Sequence, residues 1–247
     1  MKSTLLAGLS VAIATLSSCS STETTTVQVA PETEKTQAQA LDERKANFAQ
    51  SADEQTQEIY REGLTQVSES DILEKALNVG DTAPNFTLQN ALGGETSLAE
   101  NLENGPVVLV WYRGGWCPYC NINLHYLQEE LPNFKAEGAS LIAISPELPD
   151  QSISTAEKHE LEFEVLSDIG NRVAKQYHVV FKLTDEVAEI YNNKFGLNEH
   201  NGDTSNELPL AATYIINTNG VIEYAFLDID YRNRAEPSKI TEFLRGM

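Results

Sequence analysis

One continuous apolar run, at residues 107–112, most constrains what this 247-residue chain can fold into. The run VVLVWY shows no alternation of apolar and polar residues, which predicts a strand buried on both faces of a sheet. Residues 118–137 follow almost at once and predict a helix, with Leu124, Leu127 and Leu131 on one stripe. A buried strand that leads directly into an amphipathic helix indicates an α/β fold.

Further apolar runs and helical patterns continue this organisation toward the C-terminus. Strands are predicted at 86–88 and 141–144, short helices at 156–160 and 171–177, a hairpin at 212–226 and a last helix at 237–245. Asn219-Gly220 suits the tight turn of the hairpin, and Pro237 suits the first turn of the helix. The order predicts helices flanking a mixed sheet that ends in an antiparallel hairpin.

The first nineteen residues predict an export signal. Lys2 supplies one positive charge, and the uncharged run at 5–16 is too short to span a bilayer as a mature helix. The sequence Leu-Ser-Ser-Cys ending at Cys19 resembles the processing box of bacterial lipoproteins, which implies removal of residues 1–18 and a lipid on Cys19. The serines that follow favour an outer-membrane anchor facing the periplasm. The alternative is an ordinary signal cut nearby, with Cys19 left as a free thiol.

The mature chain divides into three parts. Residues 19–40 are rich in Thr, Ser, Glu and Gln and predict a disordered tether, because they cannot bury enough apolar surface to fold. Residues 41–78 predict a helical extension, broken near Gly63 or near 68–70, that packs on the main domain because its apolar surface is too small to fold alone. Residues 79–247 form the main domain.

The charge balance excludes one class of partner. Lys and Arg total 17 against 37 Asp and Glu, a net charge of −20. Such a surface repels phosphate backbones, so nucleic acid is not expected as a partner. The pattern predicts no particular oligomeric state.

Cys117 and Cys120 carry the chemistry that the sequence predicts. Cys117 falls where the strand gives way to the helix, and free N–H groups at a helix N-terminus favour a thiolate there. A thiol of lowered pKa is a ready nucleophile, and Cys120, one turn later, could capture the oxidised sulfur.

Two other uses of this cysteine pair are weaker. A structural disulfide closing so short a loop would stabilise the fold little. A zinc half-site would need two more ligands, and the four histidines are scattered without ligand spacing. We therefore expect redox chemistry that needs no metal and no cofactor.

Three segments, VGDTAPNFTL at 79–88, VVLVWYRGGWC at 107–117 and the strand at 213–216, together resemble the peroxiredoxin family of alkyl hydroperoxide reductases and thiol-specific antioxidants. The resemblance covers residues 79–247. It implies a thioredoxin-like fold and the reduction of hydrogen peroxide and organic hydroperoxides. It also implies a thioredoxin-like dithiol as the electron donor.

The resemblance also assigns roles to individual residues. Cys117 takes the peroxidatic position, Cys120 would resolve it, and the two would form a disulfide. Arg234 matches the arginine beside the sulfur, where it would hold the thiolate and polarise the peroxide. Arg232 is the competing candidate.

The sequence departs from the family pattern in front of Cys117. The Thr or Ser usual three residues before the peroxidatic cysteine is Gly114, and the proline usual seven residues before it is Val110. Without that hydroxyl, the backbone N–H groups of Gly115, Trp116 and Cys117 are expected to bind the peroxide, as an oxyanion hole would.

Two other classes of function remain open on sequence alone. One is a thiol–disulfide oxidoreductase acting on protein cysteines at the cell envelope, which would form a mixed disulfide through Cys117. The other is a binding or scaffold lipoprotein on a thioredoxin-like fold, for which Cys117 would be dispensable.

Overall fold

The computed structural model describes residues 35–247, which form one compact unit. The predicted signal, Cys19 and the first part of the predicted tether lie outside the described residues. The tether was predicted to extend to residue 40, but helix α1 (Gln37–Ser51) already includes residues 37–40. Thr36 and Gln39 form a capping box at its start, and Gln37 is fully buried. Composition alone reveals neither the local capping box nor the burial of Gln37 against distant parts of the chain, and both order this polar segment.

The helical extension contains two further helices, α2 (Glu54–Ser68) and α3 (Ile72–Lys75). Its first break comes at residues 52–53, where the side chain of Asp53 caps α2 by accepting a hydrogen bond from the Thr56 N–H. The second break, at 69–71, falls where the sequence predicts one. Gly63 continues α2 instead of breaking it, and a Cβ there would lie 2.9 Å from Cγ2 of Val187.

Strands and helices alternate through the main domain, and none of the helices in residues 35–247 has the length and apolar character needed to cross a membrane. In chain order the elements are β1 (Thr87–Asn90), β2 (Glu95–Ser97), α4 (Leu98–Leu102), β3 (Val107–Trp111), α5 (Pro118–Ala136), β4 (Ser140–Ser145), α6 (Pro149–Lys158), β5 (Glu164–Ser167), a 3-10 turn (Ile169–Asn171), α7 (Arg172–Gln176), β6 (Val180–Lys182), α8 (Asp185–Phe195), α9 (Leu197–Asn201), β7 (Glu207–Pro209), β8 (Thr213–Ile216), β9 (Ile222–Phe226) and α10 (Pro237–Arg245).

Seven strands form the main sheet, in the order β2-β1-β5-β4-β3-β8-β9. Strand β3 runs parallel to β4 and antiparallel to β8, so the predicted mixed sheet is confirmed. Leu109 and Trp111 pack into the core on one face, whereas Val108 and Val110 pack with α5 and α10 on the other. Burial on both faces explains why the sequence of β3 is apolar without alternation.

The C-terminal elements follow their predicted positions. Strands β8 and β9 pair antiparallel, and Gly220 closes their turn with φ +76°. Helix α10 has the predicted bounds, with Pro237 as its first residue. The sequence analysis missed the segment from β6 to β7, which forms a separate two-stranded sheet and carries α8 and α9. Helix α8 brings Tyr191 and Phe195 against Trp116.

Candidate active site

The two cysteines lie between the central strand and its following helix. Cys117 is the N-cap residue of α5, as the sequence predicts, and Pro118 is the first residue of that helix. Cys120 follows one helical turn later. Both are free thiols in the structure and are at most 1% exposed.

The sulfur of Cys120 accepts hydrogen bonds from positively polarised donors. Nη2 of Arg234 lies 3.2 Å from Sγ, and the backbone nitrogen of Arg113 lies 3.4 Å from it. Burial by itself raises the pKa of this thiol. The hydrogen bond from Cys117 and the charges of Arg234 and Arg113 outweigh burial, so the pKa of Cys120 lies well below its ordinary value.

The pKa of Cys117 moves in the opposite direction. Burial raises it first, and the hydrogen bond that its thiol donates to Cys120 raises it further. The expected thiolate on Cys117 therefore does not match the structure. A helix dipole contributes about 0.3–1 kcal/mol at exposed sites, whereas removing a charge from water costs several kcal/mol unless the charge is paired.

Of the two candidate arginines, Arg234 reaches the cysteine pair. It is 8% exposed, and its Nη1 donates to the carbonyl of Asn233 at 2.8 Å. The Arg232 guanidinium instead forms a bidentate pair with Asp230, with N–O distances of 2.7 and 2.8 Å. The sulfur that Arg234 contacts is that of Cys120, not that of Cys117.

Arg113 is a site residue that the sequence analysis missed. Its guanidinium is buried among three aromatic rings, 3.8 Å from the centroid of Tyr231, 4.8 Å from Tyr191 and 5.0 Å from Trp116. Its Nε and Nη1 atoms have no hydrogen-bond partner among the described residues. Cation–π contact stabilises the charge where hydrogen bonds do not. A lone arginine in a loop carries no sequence signal for this role.

The expected backbone donors to a peroxide are mostly in use. The Gly115 N–H donates to both carboxylate oxygens of Glu147, with N–O distances of 3.0 Å. The Cys117 N–H donates to the carbonyl of Gly114 at 3.1 Å. Of the three predicted donors, Trp116 alone has an N–H without a hydrogen bond to the described residues. In this structure the loop uses the N–H groups of Gly115 and Cys117 to hold its own shape, and peroxide binding through them stays a prediction.

The glycine at 114 is a structural requirement of this loop. Its φ is +146°, a conformation that side chains disfavour. A Cβ there would lie 2.3 Å from Nε1 of Trp116 and 2.9 Å from Oε1 of Glu147. A threonine or serine at this position would therefore collide with its neighbours, whereas Val110 is simply a buried residue of β3.

A small cavity of about 50 Å³ reaches the redox site, with Cys117 and Arg113 on its wall. Phe48 of α1 and Tyr60 of α2 also line this cavity. The helical extension therefore forms part of the site, which the sequence analysis did not predict. Within residues 35–247, no three side chains of His, Cys, Asp or Glu lie together as a metal site would require.

Gln37 fixes the extension next to the cysteines. Its amide nitrogen donates to the carbonyl of Ala235 at 2.9 Å, and its oxygen accepts a hydrogen bond from Asn123 of α5 at 2.7 Å. All three residues are buried. One side chain thus joins α1 to the cysteine-bearing helix and to the segment that carries Arg234.

The fold and site define a thioredoxin-like α/β protein with a buried dithiol beside an arginine. The AhpC/TSA family profile matches residues 79–225, more than half of the chain, and the protein belongs to this family.

Known proteins share this region. Peroxiredoxin Q of Oryza sativa subsp. japonica is 31% identical over 160 residues, which cover 65% of this chain and 61% of the rice protein. The thiol-disulfide oxidoreductase ResA of Bacillus thuringiensis is 28% identical over 108 residues, 43% of this chain and 61% of ResA. The crystal structure of peroxidoxin BcpB from Mycobacterium tuberculosis has a TM-score of 0.55 at 22% identity, covering 69% of this chain and 98% of that structure. This last similarity supports the fold.

Proposed function

We propose that this protein is a thiol-dependent peroxidase that reduces hydrogen peroxide and organic hydroperoxides. In this proposal Cys117 and Cys120 become a disulfide, and a thioredoxin-like dithiol reduces it again. The observation that carries the proposal is the 3.2 Å contact of the Arg234 guanidinium with a cysteine sulfur, beside a second free cysteine. Membership of the AhpC/TSA family and the similarity to peroxiredoxin Q support the same chemistry.

The charges around the pair suit attack on an O–O bond. A guanidinium at hydrogen-bond distance holds a thiolate in a buried site and can stabilise the negative charge that develops on the departing oxygen. The Arg113 guanidinium, whose Nε and Nη1 have no hydrogen-bond partner within residues 35–247, lies on the wall of the adjoining cavity.

The test is stopped-flow oxidation of the reduced protein by hydrogen peroxide and by cumene hydroperoxide, followed by tryptophan fluorescence. We expect a rate constant far above that of a free thiol. Arg234→Met should lower the rate about 100-fold at neutral pH, because removing one preorganised donor to a developing negative charge costs about 100–1,000-fold in rate. Arg232→Met is the matched control and should react at nearly the wild-type rate.

A wild-type rate no higher than that of a free thiol would refute the peroxidase. Equal losses in the Arg234 and Arg232 variants would refute the special role of Arg234. A serine in place of either cysteine should abolish steady-state turnover, because the disulfide could no longer form.

The second candidate function is reduction or oxidation of cysteines in other proteins. It is favoured by the position of Cys117 on the cavity wall and by the similarity to the oxidoreductase ResA. This alternative predicts that Cys120→Ser accumulates a mixed disulfide between Cys117 and a client protein, while peroxide turnover by the wild type stays low. Rapid peroxide turnover without such mixed disulfides would reject it.

We also propose that the protein is anchored at the bacterial cell envelope through a lipid on Cys19. The support is the uncharged run at 5–16 followed by the cysteine box. Radiolabelled palmitate should be incorporated into the wild type, and the protein should fractionate with membranes. Cys19→Ser should lose both the label and the membrane association. An unlabelled wild-type protein would refute the anchor.

A further inference from the structure

The two sulfurs of the site have different surroundings. Sγ of Cys120 accepts hydrogen bonds from Nη2 of Arg234 and from the backbone N–H of Arg113. Among the described residues, neither guanidinium nor backbone N–H donates a hydrogen bond to Sγ of Cys117. The donors therefore converge on one sulfur of the pair.

A buried anion needs such donors. Both sulfurs are out of contact with bulk water, and an ionised group without partners would be strongly disfavoured in that place. Cys120 has a cation and an N–H within reach, and the Cys117 thiol itself serves as a third donor to it. Charge-assisted hydrogen bonds of this kind are about twice as strong as neutral ones.

From these contacts we infer that Cys120 is the sulfur that attacks the peroxide and that Cys117 is the resolving cysteine. This assignment rests on the proposed peroxidase function and reverses the order that the sequence resemblance implies. It also gives the Cys117 thiol a task in the first step, as a hydrogen-bond donor next to the reacting sulfur.

The cysteine pair would reduce a hydroperoxide in two steps. The Cys120 thiolate forms an S–O bond with the terminal oxygen of the hydroperoxide, the O–O bond breaks, and the alkoxide takes the proton of the Cys117 thiol and leaves as alcohol. The Cys117 thiolate then attacks the sulfenic sulfur of Cys120, and hydroxide departs as the disulfide forms. Two electrons pass from the dithiol to the peroxide.

The position of the cavity suits the reduction of the Cys117–Cys120 disulfide by an external dithiol. Cys117 lies on its wall, so an incoming dithiol reductant would meet the sulfur of Cys117 first. Attack there releases Cys120 as the leaving thiolate, and a thiolate of low pKa leaves faster. The same contacts with Arg234 and Arg113 would therefore assist both halves of the cycle.

The experiment compares Cys117→Ser with Cys120→Ser in a single turnover with hydrogen peroxide. Sulfenic acid is trapped with dimedone and located by mass spectrometry, and circular dichroism shows that each variant is folded. We expect Cys117→Ser to form a sulfenic acid on Cys120 within about tenfold of the wild-type rate. Cys120→Ser should react more than about 30-fold more slowly, since a thiol of ordinary pKa is only about 3% ionised at neutral pH and burial raises the pKa of Cys117 above that ordinary value.

A second variant keeps the test valid if serine disturbs the pair. Adding Arg234→Met to Cys117→Ser should slow the trapping on Cys120, whereas adding it to Cys120→Ser should change little. Rapid sulfenic acid formation on Cys117 in Cys120→Ser, with slow reaction of Cys117→Ser, would overturn the assignment while leaving the peroxidase intact. A wild type that reacts no faster than a free thiol would overturn both.

Discussion

Both carboxylate oxygens of Glu147 lie 3.0 Å from the backbone nitrogen of Gly115. Glu147 is fully buried just after β4, and its Oε1 lies 3.1 Å from Nδ1 of His200. The carboxylate therefore holds the loop between β3 and α5 in place through the N–H of Gly115. This loop leads into Cys117, so the position of the redox pair depends on a side chain that does not touch either sulfur.

Glu147→Gln should loosen this loop. The amide keeps the shape of the side chain but loses the charge, and hydrogen bonds to charged groups contribute about 1.5–3 kcal/mol. We expect the free energy of unfolding, measured in urea, to fall by about 1–3 kcal/mol, and peroxide oxidation to slow. Glu157→Gln, on the exposed face of α6, is the control. Equal stability of the two variants would contradict the role of Glu147.

Gly114→Ser should not restore the hydroxyl that is common in the family. The new Cβ would collide with Trp116 and Glu147, so we expect a loss of more than about 3 kcal/mol of stability and no gain in peroxide reactivity. Gly220→Ser separates collision from backbone strain, because Gly220 also has a positive φ but has no atom within 4 Å of a Cβ. That control should lose only about 1–2 kcal/mol. A faster peroxidase in the Gly114 variant would show that the loop can rearrange.

Gln37→Ala should open the helical extension. The change leaves the buried amide of Asn123 and the carbonyl of Ala235 without their partner, at a cost of about 1–3 kcal/mol for each unpaired group. Hydrogen exchange should become faster in α1, and alkylation of Cys117 should become faster as the cavity opens. Gln50→Ala removes an exposed glutamine of the same helix and should change neither. Unchanged hydrogen exchange of α1 in the Gln37 variant would refute the role of Gln37 in holding the extension to the main domain.

Stability should depend on pH through Cys120. Burial raises the pKa of this thiol, but the hydrogen bond from Cys117 and the two arginines lower it from 9.0 to about 5. A group with a lowered pKa in the folded state stabilises the protein fully above its unfolded value, and this contribution is lost as the pH falls through the folded value. The stability advantage of the reduced wild type over Cys120→Ser should therefore shrink between pH 9 and pH 5. Thermal unfolding of both proteins across this pH range measures the stability advantage. An advantage that stays constant with pH would contradict a thiolate on Cys120.

The elements that the sequence predicted well have local causes. The unbroken apolar run of β3, the leucine stripe of α5, the Asn-Gly turn of the hairpin and Pro237 at the start of α10 each specify their own structure through residues close in the chain. The strands from β5 to β7 and helix α8 were missed because they are short or depend on packing against the rest of the domain.

The assignment of roles within the site shows the limit of local reasoning. The spacing of the cysteines and the helix start placed Cys117 where a dipole favours a thiolate, and this much is correct as geometry. The dipole does not decide the charge, because both sulfurs are buried and the stronger donors come from elsewhere. Arg234 reaches Cys120 from 114 residues further along the chain.

The sequence by itself determined the α/β class and the position of the dithiol at the start of α5, and it left Arg234 and Arg232 as the candidates for the arginine beside the dithiol. Only the tertiary structure decided which sulfur receives the arginine, why Gly114 excludes a hydroxyl side chain, and that Phe48 and Tyr60 of the extension line the cavity. The physical reason is the distance along the chain over which each interaction acts. Periodicity and capping act within a few residues, whereas burial, charge pairing and close packing depend on distances that the folded chain alone sets.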